Sequence, residues 1–121
     1  IQRRNAPCKG MWAFPGGFMN IDETTARAAR RELEEETGLM VGGLYRVGVF
    51  DAVDRDPRER IITVAYYTVL DSPVTVKGQD DAAQAGWFLL SDLPCLAFDH
   101  AEILKEAERL MEGRATAGTV F

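Results

Sequence analysis

The segment from Gly17 to Leu39 constrains this chain most strongly, because its second half concentrates carboxylates at helical spacing. Glu32, Glu35 and Glu36 fall within about a 100° arc of one helix face, since each residue advances a helix by about 100°. Like charges four residues apart disfavour a helix by roughly 0.2–0.5 kcal/mol per pair. A cation should therefore compensate them, and clustered carboxylate oxygens suit a hard divalent ion such as Mg²⁺. The pattern predicts a metal site.

The same segment carries signals for both ends of a helix. Thr24 is a good N-cap, and Glu23 before it meets the positive end of the helix dipole. Gly38 stands where a left-handed C-cap is expected, so the helix should end just after the glutamates. Between the caps, apolar residues at helical spacing predict the buried side of the helix: Ala26, Ala29 and Leu33.

A known signature matches this segment at every specified position. The segment resembles the Nudix box, in which glycines, glutamates, an arginine and aliphatic residues recur at fixed spacing. The matching residues are Gly17, Glu23, Arg31, Glu32, Leu33, Glu35, Glu36, Gly38 and Leu39. The resemblance implies one α/β (α+β) domain over residues 1–121, folded as an α/β/α sandwich. In it, a central mixed sheet lies between the box helix and a C-terminal helix.

Resemblance to the Nudix hydrolases also implies roles for the site residues. Glu32, Glu35 and Glu36 would hold one to three Mg²⁺ or Mn²⁺ ions, and the backbone carbonyl of Gly16 would approach the same metal site. Arg31 would orient the glutamates. From the residues alone, Arg31 is a surface ion pair with Glu35, which contributes well under about 1 kcal/mol, but the intact motif favours the orienting role.

The resemblance leaves the general base open. One carboxylate would deprotonate the attacking water, and the candidates are Glu32, Glu36 and an aspartate of the acidic loop at Asp80 and Asp81, where Asp81 is preferred. The implied reaction is Mg²⁺-dependent hydrolysis of a nucleoside diphosphate linked to another moiety, with ADP-ribose the preferred substrate. Oxidised or non-standard nucleoside triphosphates are the rival substrates. An ADP-ribose-sensing domain of a transcriptional regulator is the rival function.

A dense run of charges over residues 54–60 separates two predicted strands. From the residues alone it is a solvated hairpin connection. The surrounding sequence resembles the ADP-ribose pyrophosphatase-like group, in which Arg-Asp-Pro-Arg loops lie near the substrate or the dimer partner. That resemblance makes Arg55 and Arg58 candidate phosphate or ribose contacts, with Gly17 as a third substrate contact, and it implies a homodimer.

The other elements follow from apolar runs and chain breakers. Residues 101–112 predict an amphipathic helix, and residues 113–121 lack periodicity and predict a loose tail. His100, the only histidine, is expected to cap or pack at the start of that helix rather than to catalyse. Strands are predicted over residues 1–4, 11–14, 44–53, 61–70, 73–78 and 84–90.

Composition narrows the classes of partner that the chain is expected to bind. A net charge of −5 argues against a general nucleic-acid or membrane surface, but a bound metal would still allow a nucleotide ligand. Cys8 and Cys95 are too few for a disulfide scaffold, so reduced thiols in a cytoplasmic protein are expected. The sequence contains neither a signal-peptide pattern nor an apolar run near the roughly 18 residues of a membrane span. Because the chain opens at Ile1 rather than Met, a preceding segment is expected to be missing.

Overall fold

The computed structural model of the chain describes residues 1–79 and 82–116. Within these residues, two helices and four short strands follow one another in the order β-α-β-β-β-α, which is consistent with the predicted α/β class. In chain order the elements are β1 (Gln2–Arg3), α1 (Thr25–Thr37), β2 (Tyr45–Phe50), β3 (Thr63–Tyr67), β4 (Ala82–Gln84) and α2 (His100–Thr116). Within the described residues, neither helix is long and apolar enough to cross a membrane.

The described strands form two antiparallel pairs. β2 pairs with β3 from Tyr45 opposite Tyr67 to Phe50 opposite Thr63, and β1 pairs with β4. Trp12 adds an antiparallel bridge to Gln2 and a parallel bridge to Leu96, so both strand directions occur around it. The predicted central mixed sheet is thus divided into separate pairs in the described part of the chain.

Three of the predicted strands are wrong, and in the first of them, residues 11–14, Trp12 makes only isolated bridges. Residues 73–78 form no strand, because the backbone N–H of Lys77 donates to the end of α1 instead. The last strand covers Ala82–Gln84 rather than residues 84–90. The apolar run beyond it, Trp87 to Leu90, lies exposed at the surface, so its pattern reflected surface hydrophobic residues rather than a buried strand.

Both predicted caps of α1 are confirmed. The Oγ1 of Thr24 accepts a hydrogen bond from the N–H of Arg27 at 3.2 Å. Gly38 has a φ of 78°, and its N–H donates to the carbonyl of Glu34 at 2.8 Å. The helix therefore ends at the residue that the sequence indicated, directly after the glutamates.

The predicted buried side of α1 is wrong. Ala28 is the buried alanine, whereas the predicted stripe of Ala26, Ala29 and Leu33 is only partly covered. Residues three or four apart share a helix face, so Ala28 lies on the face of three polar residues: Thr25, Glu32 and Glu36. We call these four residues the inward face of α1. Its contacts are largely polar, which an apolar pattern could not have indicated.

The C-terminal helix α2 packs against β2. This helix continues to Thr116, so it is longer than the predicted helix over 101–112, and residues 117–121 lie outside the described residues. Ile103 and Ala107 are buried on its inner side, which contacts β2. Both cysteines of the chain are free.

Candidate active site

The turn at Gly16 and Gly17 lies against the inward face of α1. The N–H of Gly16 donates to the Oε1 of Glu36 at 2.7 Å, and Glu36 is only 8% exposed. A Cβ on Gly17 would fall 2.5 Å from the Oε2 of Glu32. The left-handed glycines of the described residues are elsewhere, at Gly10 and Gly38. Gly17 is therefore required by the close approach of a carboxylate and not by an unusual turn.

Arg31 joins three other glutamates of the segment, which are Glu23, Glu32 and Glu35. Its Nε and Nη2 donate to both carboxylate oxygens of Glu23, at 2.7 and 2.9 Å. Its Nη1 donates to Glu32 at 2.6 Å and to Glu35 at 2.7 Å, and its Nη2 also reaches the carbonyl of Phe18 at 3.0 Å. The side chain is 28% exposed. Arg31 is thus more than a surface partner of Glu35, because it joins three carboxylates and the loop before the helix.

The charged groups of this cluster stabilise one another's ionised forms. Hydrogen bonds from the Arg31 guanidinium, and next the backbone N–H of Asn20, lower the pKa of Glu23 to about 2. The same contact with Glu23, followed by that with Glu32, raises the pKa of Arg31 above its ordinary value. Glu23 is therefore ionised throughout the neutral range, where it anchors Arg31. Arg31 in turn holds Glu32 and Glu35 beside each other.

The three glutamates predicted as metal ligands contact two different groups of the chain. Glu32 and Glu35 meet at Arg31, whereas Glu36 binds the turn through Gly16. Among residues 1–79 and 82–116, no three acidic, histidine or cysteine side chains are grouped as one metal site. The chemistry of the donor set nevertheless fits a hard divalent cation, since every side-chain donor is a carboxylate oxygen and two of them already converge on one positive group.

Tyr66 is a positioning residue that the sequence reasoning missed. Its hydroxyl lies 2.6 Å from the Oγ1 of Thr25, at the first residue of α1, and accepts a hydrogen bond from Arg46 at 3.2 Å. This contact fixes the start of the glutamate helix on β3. The available signal was a tyrosine within a β-branched run, but its partner is distant in sequence.

The two arginines of the charged loop have partners within the chain. Arg55 donates to both carboxylate oxygens of Asp99, at 2.8 and 2.7 Å, and to the carbonyl of Ile61 at 3.3 Å. Its side chain is only 4% exposed. Asp56 is buried as well, so the interpretation of this loop as a solvated connection is wrong for these two residues.

Arg58 lies at the surface of the same loop. It donates to Asp56 through Nε and Nη2, at 3.0 and 2.6 Å, and these hydrogen bonds lower the pKa of Asp56. Its guanidinium also lies 5.1 Å from the ring centre of Phe98. The Arg58 side chain is 42% exposed, so it is the more accessible of the two arginines predicted to contact substrate.

His100 packs against the strand-like segment that leads into the glycine turn. Its Nδ1 accepts a hydrogen bond from the N–H of Phe14 at 3.0 Å, and the two rings stack with centres 5.5 Å apart. Burial lowers the pKa of His100 to about 4, so the imidazole is neutral at pH 7. The packing role predicted for this histidine is confirmed.

The structure thus brings most of the predicted site residues to one place. Six of them form the site around the inward face of α1: Gly16, Gly17, Arg31, Glu32, Glu35 and Glu36. Glu34, expected to face solvent, is exposed. Arg55 and Arg58 belong to a separate ion-pair cluster. The predicted base Asp81, with its neighbour Asp80, lies outside the described residues.

Comparison with known proteins agrees with this geometry. The family model of the NUDIX domain matches residues 1–107. An ADP-ribose pyrophosphatase of Methanocaldococcus jannaschii is 43% identical over 93% of this chain and 66% of its own length. An ADPR-responsive transcriptional repressor of Acinetobacter baylyi is 33% identical over 88% of this chain and 44% of its own length. The chain therefore spans less than two thirds of either relative.

A solved structure shares the fold. The NUDIX domain of Shewanella oneidensis NrtR, crystallised with ADP ribose, superposes with a TM-score of 0.83 at 30% identity. The alignment covers 92% of this chain and 75% of that domain. Together with the family match, this similarity confirms the predicted fold class.

Proposed function

Because this chain belongs to the NUDIX domain family, we propose that it is a metal-dependent hydrolase of a nucleoside diphosphate linked to another moiety, with ADP-ribose preferred. The observation that carries the proposal is the convergence of Glu32 and Glu35 on Arg31 beside the Gly16–Gly17 turn. Support for the substrate comes from the relative named an ADP-ribose pyrophosphatase and from the similar domain crystallised with ADP ribose.

A divalent cation is the cofactor that the donor set suits, and Mg²⁺ or Mn²⁺ is proposed. When bound, such an ion neutralises charge on the pyrophosphate oxygens and lowers the pKa of a bound water. Glu32, Glu35 and Glu36 would hold it, with the Gly16 carbonyl as a further ligand. Arg31 keeps Glu32 and Glu35 adjacent, and the N–H of Gly16 keeps the Glu36 carboxylate at the turn.

Hydrolysis needs one carboxylate to take the proton of the attacking water. The water oxygen then bonds to one phosphorus, and the bridging P–O bond breaks, so ADP-ribose would yield AMP and ribose 5-phosphate. Glu32, Glu36 and Asp81 are all proposed as candidates for this base. Glu32 and Glu36 lie on the inward face of α1, which supports either of them.

Substrate contacts are proposed at Gly17, Arg58 and Arg55. Gly17 borders the carboxylate cluster, and the partly exposed guanidinium of Arg58 can donate to phosphate or ribose oxygens. For Arg55 to do so, its bidentate pair with Asp99 must open. A substrate role for Arg55 therefore requires a rearrangement that a role for Arg58 does not.

We also propose that the protein acts in the cytoplasm as a homodimer.

The proposal is tested by assaying a panel of substrates with Mg²⁺, with Mn²⁺ and with a chelator. The panel contains ADP-ribose, a nucleotide sugar, NADH, diadenosine polyphosphates and 8-oxo-dGTP. We expect turnover of ADP-ribose that disappears with the chelator and in the Glu35→Gln variant. Preference for 8-oxo-dGTP would assign the chain to the rival substrates, oxidised nucleoside triphosphates.

A sensing domain is the second candidate function. It is favoured by the similarity to the transcriptional repressor and to the ADP-ribose-bound NrtR domain. A sensor would bind ADP-ribose without hydrolysing it. Calorimetric binding of ADP-ribose by wild-type protein that turns over no member of the panel would therefore favour the sensor and contradict the hydrolase.

A further inference from the structure

A segment distant in sequence closes the C-terminal end of α1. The last carbonyls of an α-helix lack partners within the helix and must find them elsewhere. Here the carbonyl of Glu36 accepts the N–H of Gln79 at 2.9 Å, and that of Thr37 accepts the N–H of Lys77 at 3.2 Å. We call residues 77–79 the strap. Its contacts with α1 are made by main-chain atoms.

The other side of the strap packs against β4. A Cβ on Gly78 would lie 2.5 to 2.8 Å from the Cα, C and N atoms of Gln84. Because these are backbone atoms of a paired strand, they cannot give way as the end of a flexible side chain can. The carbonyl of Gln79 also accepts the N–H of Ala82 at 3.0 Å, and Ala82 is 1% exposed and pairs with Arg3 of β1. The strap therefore joins the end of α1 to the β1–β4 pair.

Glu36 is consequently held from two directions. Its carboxylate accepts the N–H of Gly16, and its carbonyl accepts the N–H of Gln79. The first contact depends on the turn before the helix, and the second depends on the strap after it. A shift of the strap would move the last turn of α1, and with it the carboxylate that faces Gly16.

We propose that Gly78 and Gln79 are positioning residues, which fix the position of the Glu36 carboxylate relative to the turn at Gly16 and Gly17. As far as it concerns catalysis, this inference rests on the proposed hydrolase function. Neither residue touches the reacting atoms. They act through Glu36, and loss of such supporting partners around a metal site typically lowers affinity or activity by about 10- to 100-fold.

Two variants and a matched control test the strap. Gly78→Ala forces the strap away from Gln84, and Gln79→Pro removes the N–H that Glu36 accepts. Gly43→Ala is the control, because a Cβ there meets nothing within 4 Å. Hydrogen exchange of the Gly16 N–H, followed by NMR, reports the position of Glu36 without any need for activity. We would also measure the Mn²⁺ affinity of each protein by electron paramagnetic resonance, and its kcat and KM by steady-state kinetics.

In both strap variants we expect the Gly16 N–H to exchange about 10-fold faster or more, while amides of the β2–β3 pair keep their rates. Mn²⁺ affinity and kcat should each fall by about 10- to 100-fold with KM little changed. A Gly16 rate equal to wild type in both variants would overturn the proposal, and so would an equal acceleration in the β2–β3 pair, which marks general destabilisation.

A measurement on the wild-type protein guards against variants that fail to fold. In the wild-type protein the Gln79 amide should be protected from exchange, because it donates to the carbonyl of Glu36, and an unprotected Gln79 amide would overturn the strap. If the wild-type protein hydrolyses no substrate of the panel, the proposed function fails. The exchange data then still decide whether the strap positions Glu36.

Discussion

Gly17 lies directly against the carboxylate of Glu32, so that a Cβ on Gly17 would fall 2.5 Å from Oε2 and 2.6 Å from Cδ. The carboxylate of Glu32 thus occupies the space that a side chain at position 17 would need. Because the obstructing atoms belong to the end of a flexible side chain, a substitution at Gly17 should move Glu32 rather than unfold the protein.

Gly17→Ala is therefore expected to lower kcat by about 10-fold or more, the range typical of a displaced ligand sphere, with little change in melting temperature. Steady-state kinetics and thermal unfolding measure the two effects. Gly43→Ala, which introduces the same methyl group into open space, should change neither. Unchanged turnover in Gly17→Ala would show that the position of Glu32 is unimportant.

Arg31→Lys should lower kcat by about 10- to 100-fold, because one ammonium group cannot reproduce the fork that joins Glu23, Glu32 and Glu35. The kinetics of the variant measure this loss. Arg27→Lys, on an exposed position of the same helix, is the matched control and should retain activity. Turnover by Arg31→Lys equal to that of the wild type would reduce Arg31 to a replaceable surface charge.

Arg55→Met should destabilise the protein by about 3 kcal/mol, because it leaves Asp99 without its buried partner. Urea unfolding measures the loss. The double variant Arg55→Met/Asp99→Leu removes both charges and should recover much of it. If Arg55 also binds substrate, KM will rise in both variants. A KM equal to wild type in both would limit Arg55 to this structural ion pair and leave Arg58 as the accessible contact.

Acid should weaken the fold through His100, whose pKa is about 4 in the folded protein against an ordinary 6.5. Between these values the unfolded chain binds more protons, so the stability supplied by the neutral imidazole is complete above pH 6.5 and is lost as the pH falls towards 4. The full loss is about 3 kcal/mol, at about 1.4 kcal/mol per unit of pKa.

Denaturant titrations from pH 7 to pH 5 measure that slope. His100→Asn removes the only imidazole of the chain, so its free energy of unfolding should vary much less across this range. An identical slope in the two proteins would mean that other groups cause the acid sensitivity.

The sequence predicted the parts of the fold that local chemistry determines. Thr24 and Gly38 carry their cap signals in their own residue types, and the glutamates carry theirs in their spacing. The strap could not be predicted, because Lys77 and Gln79 use main-chain atoms that no side-chain pattern reveals. Nor could the burial of Arg55, because its partner Asp99 is distant in sequence and approaches only in the fold.

The inward face of α1 shows a different limit. Apolar spacing indicated Ala26, Ala29 and Leu33 as the buried side, whereas the helix buries Ala28 beside polar residues. A helix that presents carboxylates inward violates the usual apolar rule, and such violations are expected where a chain builds a functional site.

Metal-dependent hydrolysis is proposed to depend on three carboxylates of α1, those of Glu32, Glu35 and Glu36. The most direct measurement compares AMP release from ADP-ribose, with Mg²⁺ present, by wild-type protein, Glu35→Gln and Glu34→Gln. These two variants remove the same charge from neighbouring residues, of which Glu35 contacts Arg31 and Glu34 faces solvent. We predict turnover by the wild type and by Glu34→Gln and its loss in Glu35→Gln. Equal activity of the two variants would contradict the claim.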